Sequence, residues 1–194
     1  PAGRAPRRCW PIRIRPSRRR GAEVGSVRTV GVLGGGQLGR MLALAGAPLG
    51  LRIIGLDPNP QAPMGEVARM IPAAAFDDPA ALDALAAAAD VVTWEFENVP
   101  AAAAARLRQK VPVHPTPRAL EIAQDRLPEK RFFRGLGVGT APFAPVSGPE
   151  DFAAALAETG LPAILKTRRM GYDGKGQRWI RAPGELAGAW AALG

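Results

Sequence analysis

Residues 29–46 read TVGVLGGGQLGRMLALAG: an apolar run of strand type, a triplet of glycines, then an apolar run with helical spacing. A strand that turns through glycines straight into a helix is the opening of a βα unit, and such units build parallel sheets. Gly34, Gly36 and Gly39 fit G-x-G-x-x-G. Glycine tightens the turn and lets a phosphate approach the backbone, while the helix N-terminus offers unpaired N–H groups and a positive dipole end. Asp57 closes the following strand, where a dinucleotide enzyme places its ribose-binding acid. On spacing alone the motif announces a phosphate without saying whose. A nicotinamide oxidoreductase is one reading, and a turn that merely packs helix on sheet is another.

The pattern continues along the chain. Strands are predicted at 30–33, 51–56 and 90–96, and helices at 37–47, 78–89 and 101–110, with an extended segment at 111–113. Asp78 is the expected N-cap ahead of Pro79. Short alternating units of this kind predict an α/β fold, a mostly parallel sheet with helices on both faces, over residues 27–115. From 116 onward the signals change. A helix is predicted from Thr116–Pro117 to about Leu136, with Pro128 early in it and unexplained, then an extended linker at 138–145 and a helix at 149–159. A strand at 162–167, a basic glycine loop at 168–176, a returning strand at 177–180 and a last helix at 185–193 follow. One hairpin and one helix are not a finished domain, so 116–194 reads as a domain cut short, and the opening at Pro1 rather than Met also suggests part of a longer record.

Charge divides the same chain differently. Of the formal +9, nearly all sits in residues 1–28, where nine arginines face only Glu23, whereas residues 29–194 hold 17 basic and 16 acidic groups. A high overall charge invites a nucleic-acid reading, but the part that can fold is almost neutral, so no nucleic-acid partner is expected. Residues 1–26 are expected to be a disordered Arg/Pro-rich tail, too poor in apolar residues to offset the entropy of ordering. With only Ser17 and Ser26 and no amphipathic period, they fit a transit peptide less well than translated upstream sequence or a cloning remnant. The single cysteine, Cys9, lies there, which leaves no internal disulfide framework or cysteine metal cluster. No apolar run approaches the ~20 residues that span a bilayer, and a cytoplasmic protein without a membrane partner is expected.

Two further stretches carry chemistry. WEFENVP, residues 94–100, leaves a strand at the carboxyl edge of the sheet, where open parallel sheets bind ligands. Glu95 is there a candidate acceptor for ribose hydroxyls or a substrate amine, while Glu97 and Asn98 suit the start of the next helix. ILKTRRMGYDGKGQ, residues 164–177, is the more informative. Lys166 ends an apolar strand, where an unpaired cation is costly unless it meets an anion. Arg168, Arg169 and a loop with Gly171, Gly174 and Gly176 follow at once. The plainer alternative, a solvated basic hairpin, leaves Lys166 unexplained, and a nicotinamide enzyme has no need of a second phosphate-seeking device.

GGGQLGRM, WEFENVP, QDR with EKRFF after it, and ILKTRRMGYDGKGQ occur in this order and spacing, and together they resemble the 5-(carboxyamino)imidazole ribonucleotide synthases, ATP-grasp ligases of purine biosynthesis. The resemblance runs from about Thr29 to the last residue. It implies a Rossmann-like (pre-ATP-grasp) parallel-sheet domain followed by an incomplete ATP-grasp domain. It implies that Gly36, Gln37 and Leu38 bind the 5′-phosphate of aminoimidazole ribonucleotide through backbone N–H groups, with Glu95 near the ribose or imidazole. Asp57 is then left without a ribose.

By the same resemblance, Arg126 and Lys166 are ATP-binding positions, and Gly171, Tyr172, Asp173, Gly174, Lys175, Gly176 and Gln177 form a mobile loop closing over the nucleotide. Tyr172, Asp173 and Lys175 are the catalytic candidates, placed to meet the imidazole and the carboxylating intermediate. The family often carries arginine where Lys175 stands, so the bidentate fork is lost. The implied reaction is ATP- and bicarbonate-dependent carboxylation through carboxyphosphate, with Mg2+ bridging the phosphates on ligands expected beyond residue 194. Such a chain is expected to be inactive alone and to be a homodimer at full length. His114, between two prolines, is read as a turn residue. The rivals are another ATP-grasp ligase, of the formate-dependent glycinamide ribonucleotide transformylase type, and the NAD-dependent oxidoreductase.

Overall fold

The computed structural model describes residues 28–171 and 174–193; the expectations for residues 1–26, Tyr172 and Asp173 fall outside them. Four parallel strands, β1 (Thr29–Leu33), β2 (Arg52–Leu56), β3 (Arg69–Met70) and β4 (Val91–Trp94), form one sheet in the order β3-β2-β1-β4. Beyond β4, Val113 bridges to Val92 in parallel, which accounts for the extended segment at 111–113. The predicted strand at 90–96 stops at Trp94, so Glu95 and Phe96 lie in the turn after it. The two-residue β3 has too few side chains to leave a periodic trace in the sequence.

Alternation along the strands assigns the faces. Leu33, Ile54, Leu56 and Val92 point into one core with Leu82 and Leu85 of α2 (Pro79–Ala88) and Ala103, Ala104 and Leu107 of α3 (Ala101–Arg108). On the opposite face lies α1 (Gln37–Gly46), whose buried residues are the small ones, Gly39, Ala43 and Gly46. A Cβ on Gly46 would stand 3.1 Å from the Ile53 side chain, so the helix sits close to the sheet because its contact stripe has almost no side chain. Its large residues face outward: Leu38, Met41, Leu42 and Leu44 are 44–61% exposed. Asp78 caps α2 as expected, its Oδ1 accepting from the Ala81 N–H at 2.8 Å.

The single helix expected over 116–136 is two helices, α4 (Pro117–Ala123) and α5 (Arg126–Gly135), parted at Gln124–Asp125. Asp125 caps α5 by accepting from the Leu127 N–H at 3.0 Å. The break explains Pro128: it stands in the first turn of α5, where its missing N–H would have had no partner in any case. Thr116 precedes α4 but makes no side-chain cap. After the linker come α6 (Phe152–Thr159), the antiparallel hairpin β5 (Ala163–Lys166) and β6 (Gln177–Ile180), and α7 (Leu186–Leu193). Ala163 and Leu165 pack with Ile180, Leu186 and Ala189 in a second, smaller core.

Candidate functional site

Parallel register fixes what meets at the carboxyl edge of the sheet. Leu33 pairs with Leu56 on one side and with Trp94 on the other, so the residues that follow, Gly34, Asp57 and Glu95, emerge together. The Gly34 N–H donates to the Leu56 carbonyl at 2.9 Å and the Glu95 N–H to the Leu33 carbonyl at 2.8 Å. Gly34 has φ +103°, a conformation that side-chain-bearing residues rarely adopt. A Cβ there would lie 2.5 Å from Glu95 Oε2, and one on Gly36 would lie 2.9 Å from Glu95 Oε1. The glycines are therefore what allows a carboxylate to lie on the turn.

That carboxylate occupies the start of α1. Burial pushes the Glu95 carboxyl above its ordinary pKa and the charge of Asp57 adds to the shift, while the backbone N–H groups of Gly36, Leu38 and Gly39 draw it the other way. Those N–H groups are the anion-seeking end of the helix, and a protein carboxylate is the anion they face. Asp57 is committed as well: Oδ2 accepts from the Gly35 N–H at 2.8 Å and Oδ1 from the Asn59 N–H at 2.8 Å. A dinucleotide enzyme needs this acid turned toward a ribose, whereas here it braces the glycine turn from within. Beneath the turn, the Gly35 carbonyl accepts from the N–H of Met64 at 2.8 Å. Met64 is fully buried and was not legible as part of this unit, because nothing in its local sequence marks it.

Among the second set of predicted residues, Lys166 corrects an expectation. An apolar strand that makes a cation costly implies burial, and Lys166 is exposed: β5 alternates, with Ala163 and Leu165 turned to the small core and Ile164 and Lys166 turned out. The reason is that β5 belongs to a two-stranded sheet whose outer face, with Ile164 38% and Trp179 54% exposed, is uncovered among the described residues. Arg126 is also exposed, at the first position of α5, with its Nη1 3.3 Å from Glu129 Oε2. The glycine loop folds back on Thr167, whose N–H donates to the Gly176 carbonyl at 2.8 Å. Gly176, at φ +68°, passes so close that a Cβ would meet Thr167 Oγ1 at 2.5 Å.

The two arginines of the loop are not both turned to solvent as free phosphate seekers. Arg168 donates through Nε (3.0 Å) and Nη2 (2.6 Å) to Asp125, and Arg169 Nε lies 3.4 Å from the same carboxylate. The Arg126 N–H donates to the Arg168 carbonyl at 3.0 Å. Asp125 is thus a hub that residue-by-residue reading passed over, although it stands inside the motif QDR. Its neighbour Gln124 reaches the other way, donating through Nε2 to the carbonyls of Glu97 and Val99 in the turn after β4. Among the described residues no group of His, Cys, Asp and Glu could hold a metal ion, and no helix is long and apolar enough to cross a membrane.

Residues 27–124 match the family model of the ribonucleotide synthetase preATP-grasp domain, and residues 131–194 match that of the ATP-grasp domain. The chain is similar to the N5-carboxyaminoimidazole ribonucleotide synthase of Pseudomonas aeruginosa, 52% identical over 165 residues, which cover 85% of this chain and 46% of that protein. It is similar to the crystal structure of N5-carboxyaminoimidazole ribonucleotide synthetase from Thermus thermophilus, with TM-score 0.77 and 53% identity over 85% of this chain and 44% of that one. A third likeness, at TM-score 0.68 and 28% identity over 87% of this chain and 44% of the other, is to the synthase of Aspergillus clavatus in complex with ADP and 5-aminoimidazole ribonucleotide. The chain therefore spans under half the length of these relatives.

Proposed function

Because this chain belongs to the ribonucleotide synthetase family with a preATP-grasp domain, and within it to the N5-carboxyaminoimidazole ribonucleotide synthases, we propose that it forms the ribonucleotide-binding part and the start of the ATP-binding part of such a ligase. The whole protein then carboxylates 5-aminoimidazole ribonucleotide at the expense of ATP. Bicarbonate oxygen attacks the γ-phosphorus, the bond to ADP breaks, and carboxyphosphate forms. The exocyclic amine takes the carboxyl group, directly or as released CO2, and inorganic phosphate leaves.

The observation that carries this reading is the glycine turn at the carboxyl edge of the sheet, with α1 starting at Gln37 and an acid on either side. In this proposal the N–H groups of Gly36, Gln37 and Leu38 hold the 5′-phosphate. A dianion and the Glu95 carboxylate repel each other at one helix end, so phosphate binding turns Glu95 away, toward a ribose hydroxyl or the imidazole amine. Arg126 and Lys166, both exposed cations, hold ATP phosphates. Gly171, Gly174, Gly176 and Gln177 let the loop close over them, bringing Tyr172, Asp173 and Lys175 to the imidazole and the carboxylating intermediate. Positioning and the exclusion of water, rather than a covalent nucleophile, supply the catalysis.

Mg2+ belongs to the proposed reaction through the ATP phosphates, but the described residues do not fit it as ligands, and no step here runs through it. A homodimer of the whole protein, in the cytoplasm, completes the proposal; the outward Leu38, Met41, Leu42 and Leu44 of α1 are the surface that favours the dimer. Calorimetric titration of this chain with 5-aminoimidazole ribonucleotide, and separately with NADH, tests the reading. Binding of the ribonucleotide alone is expected; binding of NADH alone would overturn it in favour of the oxidoreductase.

A further inference from the structure

Asp125 is 4% exposed and is the one buried carboxylate among the described residues. A buried carboxylate is retained only where its partners compensate its lost hydration. Here they do: one oxygen caps α5 through the Leu127 N–H, and both receive the fork of Arg168. Arg168 and Arg169 keep 53% and 58% of their side chains exposed, so the acid, not the bases, is held by the fold. Asp125 and Arg168 stand 43 residues apart in sequence, so the pair ties together two distant segments. The backbone bond from Arg126 N–H to the Arg168 carbonyl lies in the same junction.

We propose that Asp125 is a positioning residue of the nucleotide site, a latch that fixes the start of the basic glycine loop against the start of α5, so that Arg126 and Lys166 are presented to one ligand. Gln124, bonded to the turn that carries Glu95, makes the same junction the link to the ribonucleotide side. The functional half of this inference rests on the nucleotide reading above; the latch itself does not.

Asp125→Asn separates the latch from the cap, because asparagine caps helices as well as aspartate but carries no charge for the two arginines. Amide exchange is measured on this chain and ATP affinity on the whole protein. Exchange at Arg126 and Thr167 is expected to accelerate about tenfold or more, and ATP affinity to fall about tenfold or more, consistent with hydrogen bonds to charged groups. Exchange in β1, β2 and β4 is expected to stay unchanged. Arg168→Lys, altering the exposed partner, keeps the charge without the fork and is expected to give intermediate values, which also serves if Asp125→Asn does not fold. Unchanged exchange at Arg126 and Thr167 in both variants would overturn the latch. Accelerated exchange with unchanged ATP affinity would overturn its positioning role. Absence of ATP binding by the unaltered whole protein would instead count against the nucleotide reading, and the exchange data would still judge the latch.

Discussion

The Asp57 carboxylate accepts a hydrogen bond from the Gly35 N–H at 2.8 Å, across 22 residues of chain and from the neighbouring strand. The bond makes the glycine turn a rigid part of the sheet edge rather than a loop that a ligand must order. Asp57→Ala leaves the buried Gly35 N–H without an acceptor, which costs about 1–3 kcal/mol. A melting temperature lower by several degrees, with weaker ribonucleotide binding, is the expected outcome, read by calorimetry on the same sample.

Gly34→Ala is expected to be worse tolerated. At φ +103° alanine is strained, and its Cβ would stand 2.5 Å from Glu95 Oε2 and 3.0 Å from the Phe96 backbone nitrogen, an atom that cannot step aside. Strain of this type costs about 1–3 kcal/mol, or very roughly 4–8 °C per kcal/mol in a domain of this size. A thermal melt indistinguishable from the unaltered chain would show that the turn is more pliable than its geometry implies.

Glu95 gives a pH dependence with a definite sign. Its carboxyl is raised above the ordinary value by burial first and by Asp57 second. A native value above the unfolded one means that the ionised form burdens the fold at neutral pH and that the burden is relieved as pH falls through the native value. Glu95→Gln is therefore expected to raise the melting temperature slightly at pH 7 and to match the unaltered chain once Glu95 is protonated. Carbon NMR of the carboxyl should place its midpoint above that of an exposed glutamate, about 4.3.

Asp125 titrates in the opposite direction. Burial works to raise its carboxyl, but the Arg168 fork, the Leu127 N–H and the charges of Arg168 and Arg169 hold it below the ordinary range. Its contribution is present in full above the unfolded value, about 3.9, and is lost as pH falls through the lower native one. The carboxyl carbon is expected to show its midpoint below 3.9, and Arg168→Gln is expected to move that midpoint upward.

The homodimer proposed above, through the apolar face of α1, can be tested on the whole protein. Leu42→Lys places a charge among Leu38, Met41 and Leu44 without touching the stripe of Gly39, Ala43 and Gly46 that seats the helix. Light scattering of the full-length variant is expected to report a monomer with an unchanged melt of the sheet domain; an unaltered dimer would place the interface elsewhere.

How much of this could be read beforehand differs by range along the chain. Strand β1, the glycine turn, α1, Asp78 before α2 and the glycine loop between β5 and β6 rest on spacing, capping and backbone freedom within a few residues. Periodicity and residue type carry that information, so the α/β class and the two glycine turns were legible. The break between α4 and α5 was missed because Gln124 and Asp125 fit a helix locally; their long-range partners, Glu97, Val99 and Arg168, end it.

By itself the sequence determined where βα units begin, which glycines the turn requires and which family the motifs belong to. Only the tertiary structure decided that the Glu95 carboxylate lies on the N-terminus of α1, that Asp57 braces the turn from within, and that Lys166 is exposed. The physical reason is one of distance. Local preferences act through a residue's own backbone and its neighbours along the chain, whereas the partner of a charge and the cover over a sheet face are set by segments that parallel register and packing bring together from dozens of residues away.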